Sequence, residues 1–180
     1  MRRLLSLAPE GHRAIAMGLS DGILTALLLA SGRLLGRGDP MNAGLALRVA
    51  VGTMATGAFI FYVGRYAELR GTLIRAERQL NLTSRGKLAT TRLGRVVLVE
   101  AVGDSTVSGV SSFVGALLPL LLAVGVPSVP PVAVAASIVM LAAMGAVLAR
   151  VVAGSTTAWA GGLVVGGMAM AALGWKLNLV

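Results

Sequence analysis

The 180-residue sequence contains no cysteine, a single histidine and few charged residues. The missing cysteines exclude disulfides, thiolate metal sites and thiol catalysis. His12 alone cannot supply a histidine metal site or a conventional catalytic triad within one subunit. Only 13% of the residues are charged, whereas a soluble domain usually has about a quarter. With 56% hydrophobic residues and a mean hydropathy of +0.85, the composition indicates a polytopic membrane protein.

Catalytic and phosphate-binding motifs are also missing. The sequence has no G-x-x-x-x-G-K-[ST] or H-E-x-x-H pattern. We therefore expect no enzyme activity and no cofactor. The net charge of +9 does not favour nucleic acid as a partner, because the basic stretch lacks a set of aromatic stacking residues.

Five apolar segments are each near the length that a membrane-spanning helix needs, about 20 residues. Turn-forming stretches such as GRGDPMN and GVPSVPP separate them. The apolar runs are continuous and lack the alternation of an outer-membrane barrel. We predict an all-α fold with five transmembrane helices at residues 14–36, 43–66, 98–126, 131–152 and 157–177.

The basic residues predict the orientation. With the N-terminus inside, twelve of the sixteen Lys and Arg residues lie on the cytoplasmic side, which favours an N-in, C-out topology. The N-terminal stretch MRRLLSLAPEGHR has no short apolar core followed by a cleavage site. We interpret it as a retained cytoplasmic end of a multi-pass protein in the cell inner membrane.

The segment 67–97 is predicted to be a basic cytoplasmic loop or helix. Leu69, Leu73 and Ala76 recur at helical spacing, with arginines elsewhere around the helix. This pattern favours an extension of the second span that lies on anionic lipid. In the alternative interpretation, Glu68 and Glu77 help to gather cations.

Asp21 lies about seven residues into the first predicted span. Charged groups within spans usually face a protein interior or a water-filled path. Met17 and Thr25 lie one turn before and after Asp21, so a thioether, a carboxylate and a hydroxyl share one helix face. Asp21 could instead cap a broken helix start or bond to a neighbouring helix.

Other spans offer further candidate ligands. Met54 lies near the middle of the second span, where its thioether would favour a transition metal over magnesium or calcium. Glu100, Asp104 and Ser108 form a polar stripe on the third span that continues to Ser111 or Ser112. Two carboxylates one turn apart suit a bound cation or a proton relay, although solvation at the cytoplasmic end would also explain Glu100.

The fifth span carries a G-x-x-x-G pattern at Gly162 and Gly166, which is typical of close helix packing. Trp159 and Trp175 flank this span, as expected of aromatic residues at a membrane interface. We predict a packing role for these glycines and also for Gly57 in the second span.

The sequence resembles the vacuolar iron transporter (nodulin-like) family. The similar elements are SDGILTALLLASG in the first span, TMATGAF followed by Glu68 in the second, and SSFVGALLPLL in the third. The resemblance covers most of the chain. It departs at Ala58 and Phe59, where many members have Glu-Tyr or Gly-Tyr, and in the arginine-rich loop, where plant-type members carry a Glu- and Met-rich module.

The resemblance implies a homodimer that moves Fe²⁺, often Mn²⁺ too, in exchange for protons along a path at the subunit interface. By position, Asp21 and Met54 correspond to path-lining residues, Gly57 to the glycine of an M-x-x-G element and Glu68 to an acidic residue near the inner end of span two. Glu100 and Asp104 lie in the corresponding region without a residue-for-residue match.

Together these observations predict a transporter that moves Fe²⁺ or Mn²⁺ out of the cytoplasm. Asp21 would exchange a proton for the metal, Met54 would supply a soft ligand, and Glu68, Glu100 and Asp104 would form the cytoplasmic entrance. A second hypothesis is a non-transporting adaptor whose basic loop recruits an acidic partner or lipid. A third is a transporter of another substrate, such as an organic cation.

Overall fold

A computed structural model describes residues 9–35, 42–79, 92–125, 131–151 and 154–177. The described residues form α-helices almost throughout, with no strand among them. The five helices are α1 (Pro9–Leu35), α2 (Ala43–Gln79), α3 (Arg92–Gly125), α4 (Pro131–Val151) and α5 (Thr156–Leu177).

Each of the five helices is long and apolar enough to cross a membrane. This confirms the predicted class, an all-α multi-pass membrane protein. The N-in, C-out orientation is not a property of the fold itself and stays a prediction.

The helices extend beyond several of the predicted spans. α1 begins at Pro9 rather than near residue 14, since proline is well suited to the first position of a helix. α2 does not end near residue 66 but continues to Gln79, and α3 begins at Arg92 rather than 98. The ends of the segment 67–97 are therefore helical, and its residues 80–91 lie outside the described residues.

α2 and α3 are too long for the bilayer alone. They have 37 and 34 residues, or about 55 and 50 Å at 1.5 Å per residue. The hydrocarbon core is about 30 Å thick. Since the end of α2 pairs with the start of α3, both helices project on the same side of the bundle.

α1 is the central helix and contacts every other described helix. Its fully buried Ile23 and Leu27 pack with Leu141 of α4. Ala26 packs with Ala46 of α2 and Leu120 of α3 on another side. α1 is therefore enclosed by protein over much of its surface, which explains why half of its most apolar stretch is buried.

Glycines bring the backbones of α1 and α3 into close contact. A Cβ atom on Gly22 would overlap the carbonyl oxygen of Ser112, and one on Gly18 would overlap that of Ser108. On the facing helix, a Cβ atom on Gly115 would lie 2.6 Å from the carbonyl oxygen of Leu19. Small residues permit this approach, as is common between membrane helices. The close packing fixes the position of the α1 segment that carries Asp21.

Candidate functional site

Asp21 lies near the middle of the apolar stretch of α1. This stretch runs from Gly11 to Gly32, so the earlier start of α1 makes Asp21 central rather than close to one end. The hydroxyl of Ser112 on α3 donates to the carbonyl oxygen of Gly18 at 2.9 Å and lies 3.3 Å from Oδ2 of Asp21. Asp21 therefore bonds to a neighbouring helix, which was one of the alternatives left open by the sequence.

α2 approaches the same carboxylate through Gly57. A Cβ atom at this position would lie 2.6 Å from Ser112 Oγ and 3.2 Å from Asp21 Oδ2. Since 2.6 Å is closer than real Cβ contacts, any larger residue would have to displace Ser112 or Asp21. Asp21, Gly57 and Ser112 thus meet where α1, α2 and α3 converge, and we call this group the Asp21 site.

Met54 lies one turn before Gly57 on α2 and is partly buried. Its backbone packs on α3, because a Cβ atom on Gly109 would lie 3.0 Å from the Met54 carbonyl oxygen. Gly109 in turn lies one turn before Ser112. Met54 is therefore within about one helical turn, roughly 5 Å along the helix axis, of the Asp21 site.

The two predicted neighbours of Asp21 on α1 differ in their contacts. The hydroxyl of Thr25 donates to the backbone carbonyl oxygen of Asp21 at 2.9 Å. Its hydrogen thus serves the helix backbone, a common arrangement for threonine within a helix. Met17 is 52% exposed and lines a cavity that is described below.

Three of the predicted metal ligands surround an arginine. Arg65 Nε donates to Asp104 Oδ2 and Arg65 Nη2 to Glu100 Oε1, each at 2.9 Å. Arg65 Nη1 lies 3.4 Å from Glu68 Oε2. The arginine side chain is only 8% exposed, whereas those of Asp104, Glu100 and Glu68 are 21%, 40% and 52% exposed. We call these four residues the Arg65 cluster.

The five predicted metal ligands therefore lie in two separate groups. Along α3, Asp104 precedes Ser112 by eight residues, which corresponds to about 12 Å. Asp21 and Met54 lie at the level of Ser112, and Glu68, Glu100 and Asp104 lie at the level of Arg65. Within the described ranges, no group of three or more His, Cys, Asp or Glu residues is arranged to hold a metal ion.

The sequence does not mark Arg65 as a site residue, because Arg65 enters only the count of basic residues that predicts the orientation. Its spacing of three residues from Glu68 was the available signal, since such pairs are neighbours on a helix. The pairs with Glu100 and Asp104 span 35 and 39 residues of sequence and could not be inferred from local spacing.

A cavity of about 350 Å³ lies between α1, α2 and α3. Its lining combines charged groups of the Arg65 cluster with apolar residues. Met17, which precedes Asp21 by one turn, belongs to the same lining. The full lining is Arg13, Met17, Ile60, Phe61, Gly64, Arg65, Glu68 and Asp104. The cavity therefore lies between the Arg65 cluster and the helical turn that leads to Asp21, and we call it the α1–α2–α3 cavity.

The remaining candidates lie elsewhere. Glu77 is buried near the end of α2, nine residues and about 13 Å beyond Glu68. Among the described residues, a Cβ atom on Gly162 or Gly166 would meet nothing within 4 Å, so these residues provide no contact for the predicted packing role. Trp159 and Trp175 are exposed near the two ends of α5, the position predicted for them.

No protein-family model, curated protein or solved structure matches this chain. The resemblance to the vacuolar iron transporter family therefore rests on the motifs quoted above. The arrangement of the residues themselves has to support any function.

Proposed function

We propose that this protein transports a divalent transition metal, Fe²⁺ or Mn²⁺, out of the cytoplasm in exchange for protons. Asp21 would bind metal and proton in turn. The observation that carries this proposal is the position of the Asp21 carboxylate, halfway along an apolar helix and at the junction of three helices.

The exposure of Asp21 is consistent with a role in transport. In the single chain the residue is exposed, although half of the apolar stretch around it is buried. An ionised carboxylate facing lipid is costly, so such residues face water-filled paths or other protein. In this proposal Asp21 faces the path that the cation follows.

The hydrogen bonds of Asp21 leave capacity for a ligand. An ionised carboxylate offers about four lone-pair sites, and a serine hydroxyl has one hydrogen to donate. The Ser112 hydroxyl is closer to the Gly18 carbonyl oxygen than to Asp21, at 2.9 against 3.3 Å. Its hydrogen is thus directed mainly to the backbone, and the carboxylate can accept a proton or a metal ion.

The neighbouring Met54 supports a transition metal as cargo. A thioether favours softer ions, whereas carboxylate and hydroxyl oxygens alone would suit magnesium or calcium. The Asp21 carboxylate, the Ser112 hydroxyl and the Met54 thioether still form a small set of donors. A homodimer in the cell inner membrane, with the path at the subunit interface as the resemblance implies, would bring a second copy of these donors to it.

Transport in proteoliposomes tests the proposal. Purified protein would be reconstituted with an internal metal-sensitive dye and a pH-sensitive dye, and Fe²⁺ or Mn²⁺ would be added with and without a pH gradient. We expect Asp21→Asn to lower metal flux and coupled proton flux at least tenfold. The matched control is Thr25→Val on the same helix, because the Thr25 hydroxyl bonds only to backbone in the described contacts. Equal flux through Asp21→Asn and the parent would refute the proposal.

A second candidate function is supported by the projecting end of α2. Arg70, Arg75 and Arg78 are all exposed there, on a helix that continues well past its apolar part. An adaptor could use them to bind an anionic lipid surface or an acidic partner. Reversing the three arginines to glutamate should then abolish binding to vesicles containing phosphatidylserine while metal flux continues. Unchanged vesicle binding would eliminate recruitment of anionic lipid by these arginines, and an unchanged pull-down of acidic partners would eliminate the other form of this function.

A further inference from the structure

Arg65 differs from the other described arginines of α2 in its surroundings. Arg48, Arg70, Arg75 and Arg78 are exposed, whereas Arg65 is 8% exposed and contacts carboxylates from two helices. A guanidinium has five donors in a planar arrangement and stays charged, so it is well suited to hold several carboxylates at once. Arg65 therefore occupies the position that a bound cation would take among Glu68, Glu100 and Asp104.

The charges of the Arg65 cluster do not cancel. Three carboxylates and one guanidinium leave these four groups with a net charge of −2. A divalent cation would be attracted by the three carboxylates, and hard ions such as Mn²⁺ are commonly bound by carboxylate oxygens. It would also be repelled by Arg13, which lines the adjoining cavity, and by Arg65, with which it competes for the same oxygen atoms.

The cluster adjoins the α1–α2–α3 cavity. Arg65, Glu68 and Asp104 line this cavity together with Met17, which lies one turn before Asp21. The Arg65 guanidinium and a residue one turn from Asp21 thus border the same space.

We propose that Arg65 is a tethered cation that controls which ions reach Asp21. This inference rests on the proposed transport function. An ion enters only when it binds Asp104 and Glu68 strongly enough to displace the guanidinium. Divalent cations meet this condition and monovalent cations do not, because attraction to a group of carboxylates scales with the charge of the ion. Arg65 thus determines selectivity for divalent cargo while touching no cargo at Asp21.

Binding of Mn²⁺ to purified protein tests this role independently of transport. The measurement uses the Asp21→Asn background, so that only the Arg65 cluster can contribute a new site. Electron paramagnetic resonance would follow free Mn²⁺ during titration. We expect Arg65→Gln to increase Mn²⁺ affinity at least tenfold over the Asp21→Asn parent, and potassium at 100-fold excess to leave that binding unchanged. The matched control is Arg70→Gln, which removes the same charge five residues further along α2 and should leave the affinity unchanged.

A second measurement covers the case in which Arg65→Gln is unstable. Removing the guanidinium leaves the carboxylates to repel one another, so the unfolding temperature should fall. If Mn²⁺ replaces the guanidinium, it should restore at least half of that fall, and Arg65→Lys, which keeps a competing positive charge, should need more Mn²⁺ than Arg65→Gln. A fall that Mn²⁺ does not reverse, or equal Mn²⁺ affinity for Arg65→Gln and Arg70→Gln, would overturn the inference.

The two proposals can fail separately. Equal metal flux through the parent and Asp21→Asn would refute the transport proposal, whatever the effect of the Arg65 variants. Loss of the Arg65 proposal would appear as unchanged Mn²⁺ binding in variants of a protein whose flux still depends on Asp21.

Discussion

The substitution Gly57→Ala should disturb the Asp21 site through a single methyl group. Its Cβ atom would be built 2.6 Å from Ser112 Oγ and 3.2 Å from Asp21 Oδ2. The shorter distance cannot be accommodated without moving the serine hydroxyl. That hydroxyl donates to the Gly18 carbonyl oxygen, so the change would reach α1 as well as α3.

The expected size follows from three terms. Overpacking of a tight contact costs about 1–3 kcal/mol, and loss of one hydrogen bond costs about 1 kcal/mol. Alanine in place of glycine within a helix regains about 1 kcal/mol. We therefore expect a net destabilisation of about 1–3 kcal/mol. Gly52→Ala on the same helix meets nothing within 4 Å and should be neutral or stabilising by up to about 1 kcal/mol.

The pair of variants can be compared in two assays. Unfolding by SDS in mixed micelles should separate Gly57→Ala from Gly52→Ala by about 1–4 kcal/mol. Metal flux in proteoliposomes should fall about tenfold for Gly57→Ala, which corresponds to about 1.4 kcal/mol, and should be unchanged for Gly52→Ala. If both variants unfold alike and transport alike, the contact of α2 with Asp21 does not exist in the membrane.

Two further substitutions examine neighbouring contacts. Ser112→Ala removes the donor to the Gly18 carbonyl oxygen and the contact with Asp21, so it should destabilise the protein by about 1 kcal/mol. Its metal flux should lie between those of the parent and Asp21→Asn. Flux at the parent level would argue against a role for the hydroxyl. Gly115→Ala places a Cβ atom 2.6 Å from the backbone of Leu19 and should destabilise the protein by about 1–3 kcal/mol. The control Gly103→Ala on the same helix has nothing within 4 Å of its Cβ atom and should not destabilise it. SDS unfolding that ranks the two variants in the opposite order would contradict the α1–α3 packing.

The membrane fold could be predicted from the sequence because each span is a continuous apolar segment of sufficient length. A continuous apolar segment must satisfy its backbone polar groups internally when it crosses lipid, and the helix is the simple solution. The five predicted spans accordingly correspond to α1–α5. Their ends were less predictable, since Arg65, Glu68 and Arg70 mark a boundary in hydropathy but not the end of the hydrogen-bonded helix, which continues to Gln79.

The packing partners could be predicted only in part. The sequence drew attention to Gly162 and Gly166, which form a recognisable pattern but face away from the described helices. Gly18 and Gly22 have the same spacing in the chain, yet they lie in the tightest part of the α1–α3 contact. The spacing is identical in the two pairs, so what differs is the tertiary neighbour. A single sequence contains no direct record of that neighbour.

The partners of a charged residue are equally hard to predict when they lie on another helix, as Arg65 shows. Counting basic residues assigns it to a side of the membrane, and its helical neighbour Glu68 suggests at most a weak surface pair, since such pairs contribute well under 1 kcal/mol. Its burial depends instead on Glu100 and Asp104, which a second helix brings within 2.9 Å. Once the guanidinium is there, the carboxylates that seemed arranged to collect metal already hold a cation. Under the proposed role of Arg65, selectivity at that end of the bundle would depend on how strongly an incoming ion competes with an arginine, and a list of acidic residues does not give that quantity.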